Sequence, residues 1–527
     1  MSDRNSDSPF EAAASRFGPA GAAFEAQFES RLGDLLERYL ASTLVHPPHD
    51  AETWAQHFTH THLPETPVGL DDYLDALRAN VIEPSTHVGS PRFLGHMTSA
   101  LPAFLRPLAK LVTALNQNPV KVETANTVTP LERQTLAVMH RLIYGRNDAF
   151  YAARIQDPAQ TLGLVTGGGT VANLSALWIA RNNRLGPREA FAGVREEGLP
   201  AALKQYGFEG AVIVGSALMH YSLDKSADVL GLGRRGLIKI PVDPQHRIDL
   251  EILRNTLDEL KARRRCVLAL VGIAGSTDSG SVDPLPELAD LAAEHGAHFH
   301  VDAAWGGAAL CSDAHRKQLA GIERADSVAV DGHKQFYCPM GLGLLLLREP
   351  GAAASIASQA EYIIRAGSSD LGRRSLEGSR PAAVLYLHAI LSLLGREGLG
   401  ALIDRTYANA RTFATRIQAR QEFELLYPPR LNILLYRYLP KAYRGHARPL
   451  SPEATRAVSG FNLNLQESQR REGRSFVSRT SLDPARFGGG EAVLALRAVI
   501  ANPLTQPADL DAVLEDQMRI GAALEPA

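Results

Sequence analysis

Lys334 stands in the run Val330-Asp331-Gly332-His333-Lys334-Gln335-Phe336, directly after the strand-like Ser327-Val328-Ala329. Asp302 closes a second strand-like run, His298-Phe299-His300-Val301. A lysine amine held at the tip of a buried strand can condense with an aldehyde to a Schiff base. A carboxylate in the same setting can keep a pyridine nitrogen protonated, so that the ring draws electrons from a neighbouring carbon. Those two tasks are what pyridoxal 5'-phosphate asks of a protein. Either residue alone says little, since most lysines are solvated surface charges. The pair sets the working expectation.

Other residues fit the same chemistry. Thr166-Gly167-Gly168-Gly169-Thr170-Val171-Ala172-Asn173 leads into a helical stretch from Leu174 to Arg181. Glycines before a helix N-terminus expose backbone N–H groups, and the helix dipole favours an anion there, with Thr170 able to donate its hydroxyl. A glycine triplet alone is more often a plain turn, and no Gly-Lys-Ser/Thr follows to make a P-loop. His220, in Ser216-Ala217-Leu218-Met219-His220-Tyr221-Ser222, offers a ring to cover one face of a bound pyridine and a contact for a substrate carboxylate; a lone histidine is otherwise a structural one. Ala303-Ala304 are small enough to let the other face lie flat. Thr277, in Ala274-Gly275-Ser276-Thr277-Asp278, is a polar contact from a third strand end or a simple turn hydroxyl.

These residues need a scaffold, and the middle of the chain supplies one. Short apolar runs at Gly210–Val214, Cys266–Val271, His298–Val301, Ser327–Val330 and Leu344–Leu347 alternate with helical patterns such as Pro286–Ala293, which has proline near its first turn. Near-continuous apolar strands between helices indicate an α/β fold with a mostly parallel sheet covered on both faces. Ligands bind outside the carboxyl ends of such strands, which is where Asp302, His220 and the Asp331–Lys334 turn fall. Apolar residues at helical spacing from Gly21 to Leu44, and a second stretch from about Leu101 to Asn116, are either arms that pack on a partner subunit or buried helices of one chain. The first eight residues are polar and expected to be disordered. Beyond Leu347, Ala366–Gly372 reads as a flexible loop and Pro381–Leu394 as a long helix. Strands are expected at Arg430–Tyr436 and Phe476–Thr480, with a closing helix from about Pro507. The expected division is an N-terminal helical segment over 1–90, a large domain over 91–380 and a small α+β domain over 381–527.

At 527 residues the chain is too long for one core. A formal net charge of -2 gives no electrostatic case for nucleic acid or an anionic membrane. Cys266, Cys311 and Cys338 make no disulfide framework and fit a reducing cytoplasm. The start, Met1 to Ser8, lacks the apolar stretch of a signal peptide, and the apolar runs are strand-length. A cytoplasmic protein without a bound metal is the expectation.

Taken together, His300-Val301-Asp302-Ala303-Ala304-Trp305-Gly306-Gly307, Asp331-Gly332-His333-Lys334, Gly168–Asn173, Ser216–Ser222 and Pro91–Met97 resemble the group II PLP-dependent decarboxylases. That family includes the glutamate, cysteine sulfinate and aromatic amino acid decarboxylases. The resemblance runs from about residue 90 to the C-terminus. It implies fold type I, a homodimer with its site near the interface, and α-decarboxylation of an amino acid. Carried over by position, Lys334 would be the Schiff-base lysine, Asp302 the pyridinium partner and His220 the ring that stacks on the cofactor, with Ala304 beneath it. Gly169, Thr170 and His333 would lie near the phosphate, and Thr277 near the ring or phosphate. Arg497 matches the arginine that animal glutamate decarboxylases use for a substrate carboxylate, whereas its own surroundings read as a solvated helix charge. His96 falls where those enzymes carry a glutamine. Tyr362 lies one position out of register with the family's loop tyrosine, a proton donor. The runs Asp331–Gly341 and Ser375–Pro381 are most similar to a bacterial subgroup of aspartate 1-decarboxylases, which implies L-aspartate as the small acidic substrate and β-alanine for pantothenate as the product. Glutamate and cysteine sulfinate are the alternatives, then another fold type I PLP enzyme.

Overall fold

The computed structural model describes residues 9–47, 51–358, 367–482 and 490–525. The expectation for the first eight residues, and Tyr362, lie outside the described residues. In chain order the first eight strands are β1 (Phe93–Leu94), β2 (Gly163–Thr166), β3 (Gly210–Ser216), β4 (Leu237–Ile240), β5 (Arg265–Ile273), β6 (His298–Asp302), β7 (Ser327–Asp331) and β8 (Gly343–Leu347). Seven of them form one sheet in the order β2-β8-β7-β6-β5-β3-β4. The run from β4 to β7 is parallel throughout. β8 pairs antiparallel with both β7 and β2, so β2 points the same way as the parallel strands.

The apolar runs became strands because both of their faces are buried. Alternate side chains point to opposite faces of a strand. On one face Leu345, Leu347 and Ala329 pack on Ala172, Ala176 and Ile179 of the Gly169–Arg184 helix. On the other, Leu344, Leu346, Val328 and Val330 join a core with Leu285, Leu288 and Leu291 of the Leu285–Glu294 helix. Each fully buried leucine or valine contributes about 1.5–3 kcal/mol relative to exposure, which outweighs any local preference of short segments. Five of the sheet's strands match the runs expected from the sequence, and β2, β4 and the reversed direction of β8 are additions that the apolar pattern did not supply.

The last four strands, β9 (Phe423–Tyr427), β10 (Ile433–Tyr438), β11 (Phe476–Leu482) and β12 (Val493–Val499), form a second sheet with β1 in the order β1-β11-β12-β10-β9. The strand expected at Arg430–Tyr436 starts and ends later. The helix expected at Pro381–Leu394 spans Val384–Gln418, because Gly395, at φ 63° and ψ 179°, kinks the chain and lets a second helical segment follow. The Ala22–Leu40 helix forms as its spacing predicts, but buries no residue within this chain. The alternative of a buried intramolecular helix does not hold for it. The second stretch is the Leu105–Leu115 helix, which buries Leu105 and Val112 and leaves Leu111 and Leu115 exposed.

Candidate active site

Five strands of the large sheet deliver their carboxyl ends to one cavity of about 270 Å³. β6 brings Asp302, and β7 ends in the turn that carries His333 and Lys334. β3 leads to His220, β5 to Thr277, and β2 to the three glycines. Gly169, Thr170, His220, Thr277, Asp302, Ala304, His333 and Lys334 all line the cavity. The structure thus collects the strand-end residues named from the sequence around one space.

Glycine is required in the loop before the helix. Gly168 has φ 144°, and a Cβ on Gly169 would stand 2.9 Å from Asp331 Oδ2. The first N–H groups of the Gly169–Arg184 helix have no partner within the helix and point their positive ends outward. Gly167 N–H donates to Glu377 Oε1 at 2.9 Å, so this wall already holds one carboxylate. His333 Nδ1 donates to the Leu342 carbonyl at 2.9 Å, and its ring lies beside Gly168. Lys334 Nζ is 3.0 Å from Asp331 Oδ2, an ion pair of which the carboxylate is buried. Asp331 Oδ1 is buried without a partner.

Asp302 accepts on both oxygens, from Asn173 Nδ2 at 2.9 Å and from the Ala304 N–H at 3.1 Å. His220 Nδ1 lies 2.9 Å from Ser222 Oγ and also accepts the Ser222 N–H at 3.2 Å. Burial lowers the His220 pKa, against the opposing pull of Asp302, and because Nδ1 accepts the Ser222 N–H, the neutral ring carries its proton on Nε2. The site fits pyridoxal phosphate: helix-end amides for an anion, an amine, and a carboxylate already held by donors.

Arg497 overturns the residue-level reading of a solvated helix charge. It lies on β12, is 6% exposed, and is built into the wall between the two sheets. Its Nε donates to Thr277 O at 2.7 Å, and Nη1 donates to Gly95 O at 3.2 Å and Ser478 Oγ at 3.0 Å. Nη2 is buried without a partner. The guanidinium is therefore largely spent on the protein, its remaining nitrogen is buried, and Arg497 does not itself line the cavity. Burial pushes Arg497 down to about 10, which leaves it charged at neutral pH. Partial desolvation first and the charge of Arg497 second lower the His96 pKa. His96 lies with Phe93 and Phe476 along a second hollow that reaches His333 and Lys334.

The pyridoxal-dependent decarboxylase conserved domain matches residues 54–439. The chain belongs to this family. It is 42% identical over 501 residues to an aspartate 1-decarboxylase of Aliivibrio fischeri, across 94% of this chain and 91% of the relative. An L-2,4-diaminobutyrate decarboxylase of Rhizobium meliloti is 31% identical over 429 residues, 80% of each protein. The crystal structure of mouse CSAD superposes with a TM-score of 0.83 at 26% identity, covering 95% of this chain and 99% of that one. This decarboxylase is thus a PLP-dependent carboxy-lyase with the fold type I architecture, and pyridoxal phosphate is its cofactor.

Four polar residues of the decarboxylase site escaped the sequence reading: Ser222, Asp331, Glu377 and the side chain of Asn173. Each appeared inside a quoted motif without a role. Asp331 carried a usable signal, being a charged residue three positions before Lys334 at the end of an apolar strand. Asn173 and Glu377 carried none, because their partners are distant in sequence.

Proposed function

We propose that this decarboxylase removes the α-carboxylate of a small acidic amino acid, L-aspartate ahead of glutamate or cysteine sulfinate, giving β-alanine and CO2 from aspartate. The observation that carries the acidic side chain is the buried, unpartnered Nη2 of Arg497 beside His96. A buried cationic donor left unsatisfied costs free energy that an anion restores, whereas the second ammonium of diaminobutyrate would be repelled. The choice of aspartate among acids is supported by the 42% identical Aliivibrio relative.

Bound pyridoxal phosphate supplies the electron sink that takes up the pair left behind when CO2 departs. Lys334 is the residue that attaches it, and Asp331 holds the Lys334 ammonium in place beforehand. Asp302 keeps the ring nitrogen protonated. His220 covers one face of the ring and offers its Nε2–H to a carboxylate, while Ala304 leaves the other face flat. Gly169, Thr170 and His333 hold the phosphate, and Thr277 contacts the ring or phosphate. His96 and Arg497 receive the substrate's side-chain carboxylate.

The proposal extends to a cytoplasmic homodimer supplying β-alanine for pantothenate, with a helical arm over 1–90, a large domain over 91–380 and a small domain over 381–527. Leu32, Leu36 and Leu40 of the unburied Ala22–Leu40 helix are exposed, which supports an arm covered by a second copy. Among the described residues no helix is long and apolar enough to cross a membrane. CO2 release from aspartate, glutamate, cysteine sulfinate and 2,4-diaminobutyrate tests the substrate. Aspartate should give the highest kcat/KM. Preference for diaminobutyrate or an aromatic amino acid would overturn the acidic pocket; preference for glutamate would overturn only the choice of acid.

A further inference from the structure

Asn173 is 1% exposed and bonded on three sides. A carboxylate can only accept, so the amide nitrogen faces Asp302 and the amide oxygen faces His300. The two Nδ2 hydrogens go to Asp302 Oδ2 at 2.9 Å and Ser222 Oγ at 3.0 Å. The Oδ1 accepts from His300 Nε2 at 3.0 Å, so that nitrogen carries the ring proton. His300 is wholly buried, and burial pushes its imidazole down to about 4. Being neutral, it has a bare Nδ1, which accepts from Ser327 Oγ at 2.8 Å. Ser327 Oγ accepts in turn from His298 Nε2 at 2.7 Å. On the other branch, Ser222 Oγ receives Asn173's N–H and gives its own proton to His220 Nδ1 at 2.9 Å. Each choice of proton follows from the one before, with the single lone pair of His220 Nδ1 shared between the O–H and the N–H of Ser222.

We propose that Asn173 is a positioning residue that joins Asp302 and His220 into one polarised hydrogen-bonded unit. The branch through His298, Ser327 and His300 runs its donors toward the Asp302 carboxylate and keeps it ionised and aimed. The branch through Ser222 turns His220 so that its Nε2 proton faces the cavity. The inference rests on the reading of Asp302 as the partner of the cofactor's ring nitrogen. A carboxylate that loses a buried donor holds its charge less well, so the ring nitrogen should be bound less tightly without any change to Lys334 or the phosphate cradle.

The test is the ratio of dissociation constants for two probes on the cofactor-stripped full chain: pyridoxal phosphate, and its 1-deaza analogue, in which CH replaces the ring nitrogen. Wild type should prefer the natural cofactor, and Asp302→Asn should flatten that preference. Asn173→Ala should reduce it by about tenfold or more, the worth of one hydrogen bond to a charged group. A general structural defect weakens both probes alike and leaves the ratio unmoved. Asn173→Asp, which keeps the size of the side chain, should lower the ratio as well, since two adjoining carboxylates must share a proton. If both Asn173 variants keep the wild-type ratio while Asp302→Asn flattens it, the positioning role is overturned and the reading of Asp302 stands. If wild type shows no preference, the reading of Asp302 falls and the inference falls with it.

Discussion

Two walls of the same site are built on different principles. The wall around Asp302, at the end of β6, is a closed system: Asp302, Asn173, His300 and Ser327 are buried, and their polar atoms meet one another. The wall formed by β12 and the Pro91–Met97 segment is open. Arg497 spends three contacts on protein oxygens and keeps one nitrogen free, and His96 rests among aromatic rings. A closed network resists change because removing any member strands its neighbours. An open one can accept a different side chain at small cost. On the function proposed above, the first would carry the decarboxylation chemistry and the second the selection among substrates.

The sharpest way to break this contrast is at the closed wall. Lys334→Ala should abolish turnover, by at least about a thousandfold, with the fold retained in far-UV circular dichroism. Borohydride reduction of wild type should leave the cofactor on the peptide containing Lys334; label on another lysine would sink the assignment. Asp302→Asn should lower turnover per bound cofactor by roughly a hundredfold to a thousandfold, the scale of losing one electrostatic contact to a developing charge. A variant with near-normal turnover would remove Asp302 from the chemistry.

At the open wall the effect should be smaller and confined to substrate. Arg497→Ala should reduce kcat/KM for aspartate by about a hundredfold, leaving cofactor affinity within about twofold of wild type, and Arg497→Lys should not restore it because lysine lacks the planar donor set. Unchanged activity toward acids would show that the residue's role is only to tie Thr277 to Gly95.

The smallest effect is on stability, and it touches both walls. Burial pushes His300 of the closed wall and His46, which lines the hollow beside His96 at the open one, down to about 4, as it does His140 in the core. An unfolded histidine titrates near 6.5. As pH falls from 6.5 toward 4 the unfolded chain takes up protons that the native chain does not, so stability is full above this window and lost within it. Asp283, pushed up to about 7 by burial, acts in the opposite sense and offsets one of the three. The midpoint of thermal unfolding should therefore fall between pH 6.5 and pH 4. A flat profile would mean that these rings are not buried in the native protein.

Much of the closed wall was legible because its key residues end apolar strands, and strand ends converge in any parallel sheet. The joins between them were not. Asn173 and Asp302 are 129 positions apart, and an asparagine opening a helix looks the same whether or not it meets a carboxylate. The open wall was misread in part. Leu494-Ala495-Leu496-Arg497-Ala498 has a helix-like composition, and only pairing with β10 and β11 makes it a strand. Arg497 was placed near substrate by resemblance, and the structure shows its guanidinium mostly engaged with Thr277, Gly95 and Ser478.

The sequence by itself determined most of the large sheet and the strand-end cavity that Lys334 and Asp302 both line, because burial of apolar strands leaves their polar tips only one edge to occupy. The tertiary structure alone decided the reversal of β8, the strand that carries Arg497, and which hydrogen bonds hold Asp302. Those depend on contacts between distant segments, where packing and donor–acceptor matching outweigh the preferences of any local window.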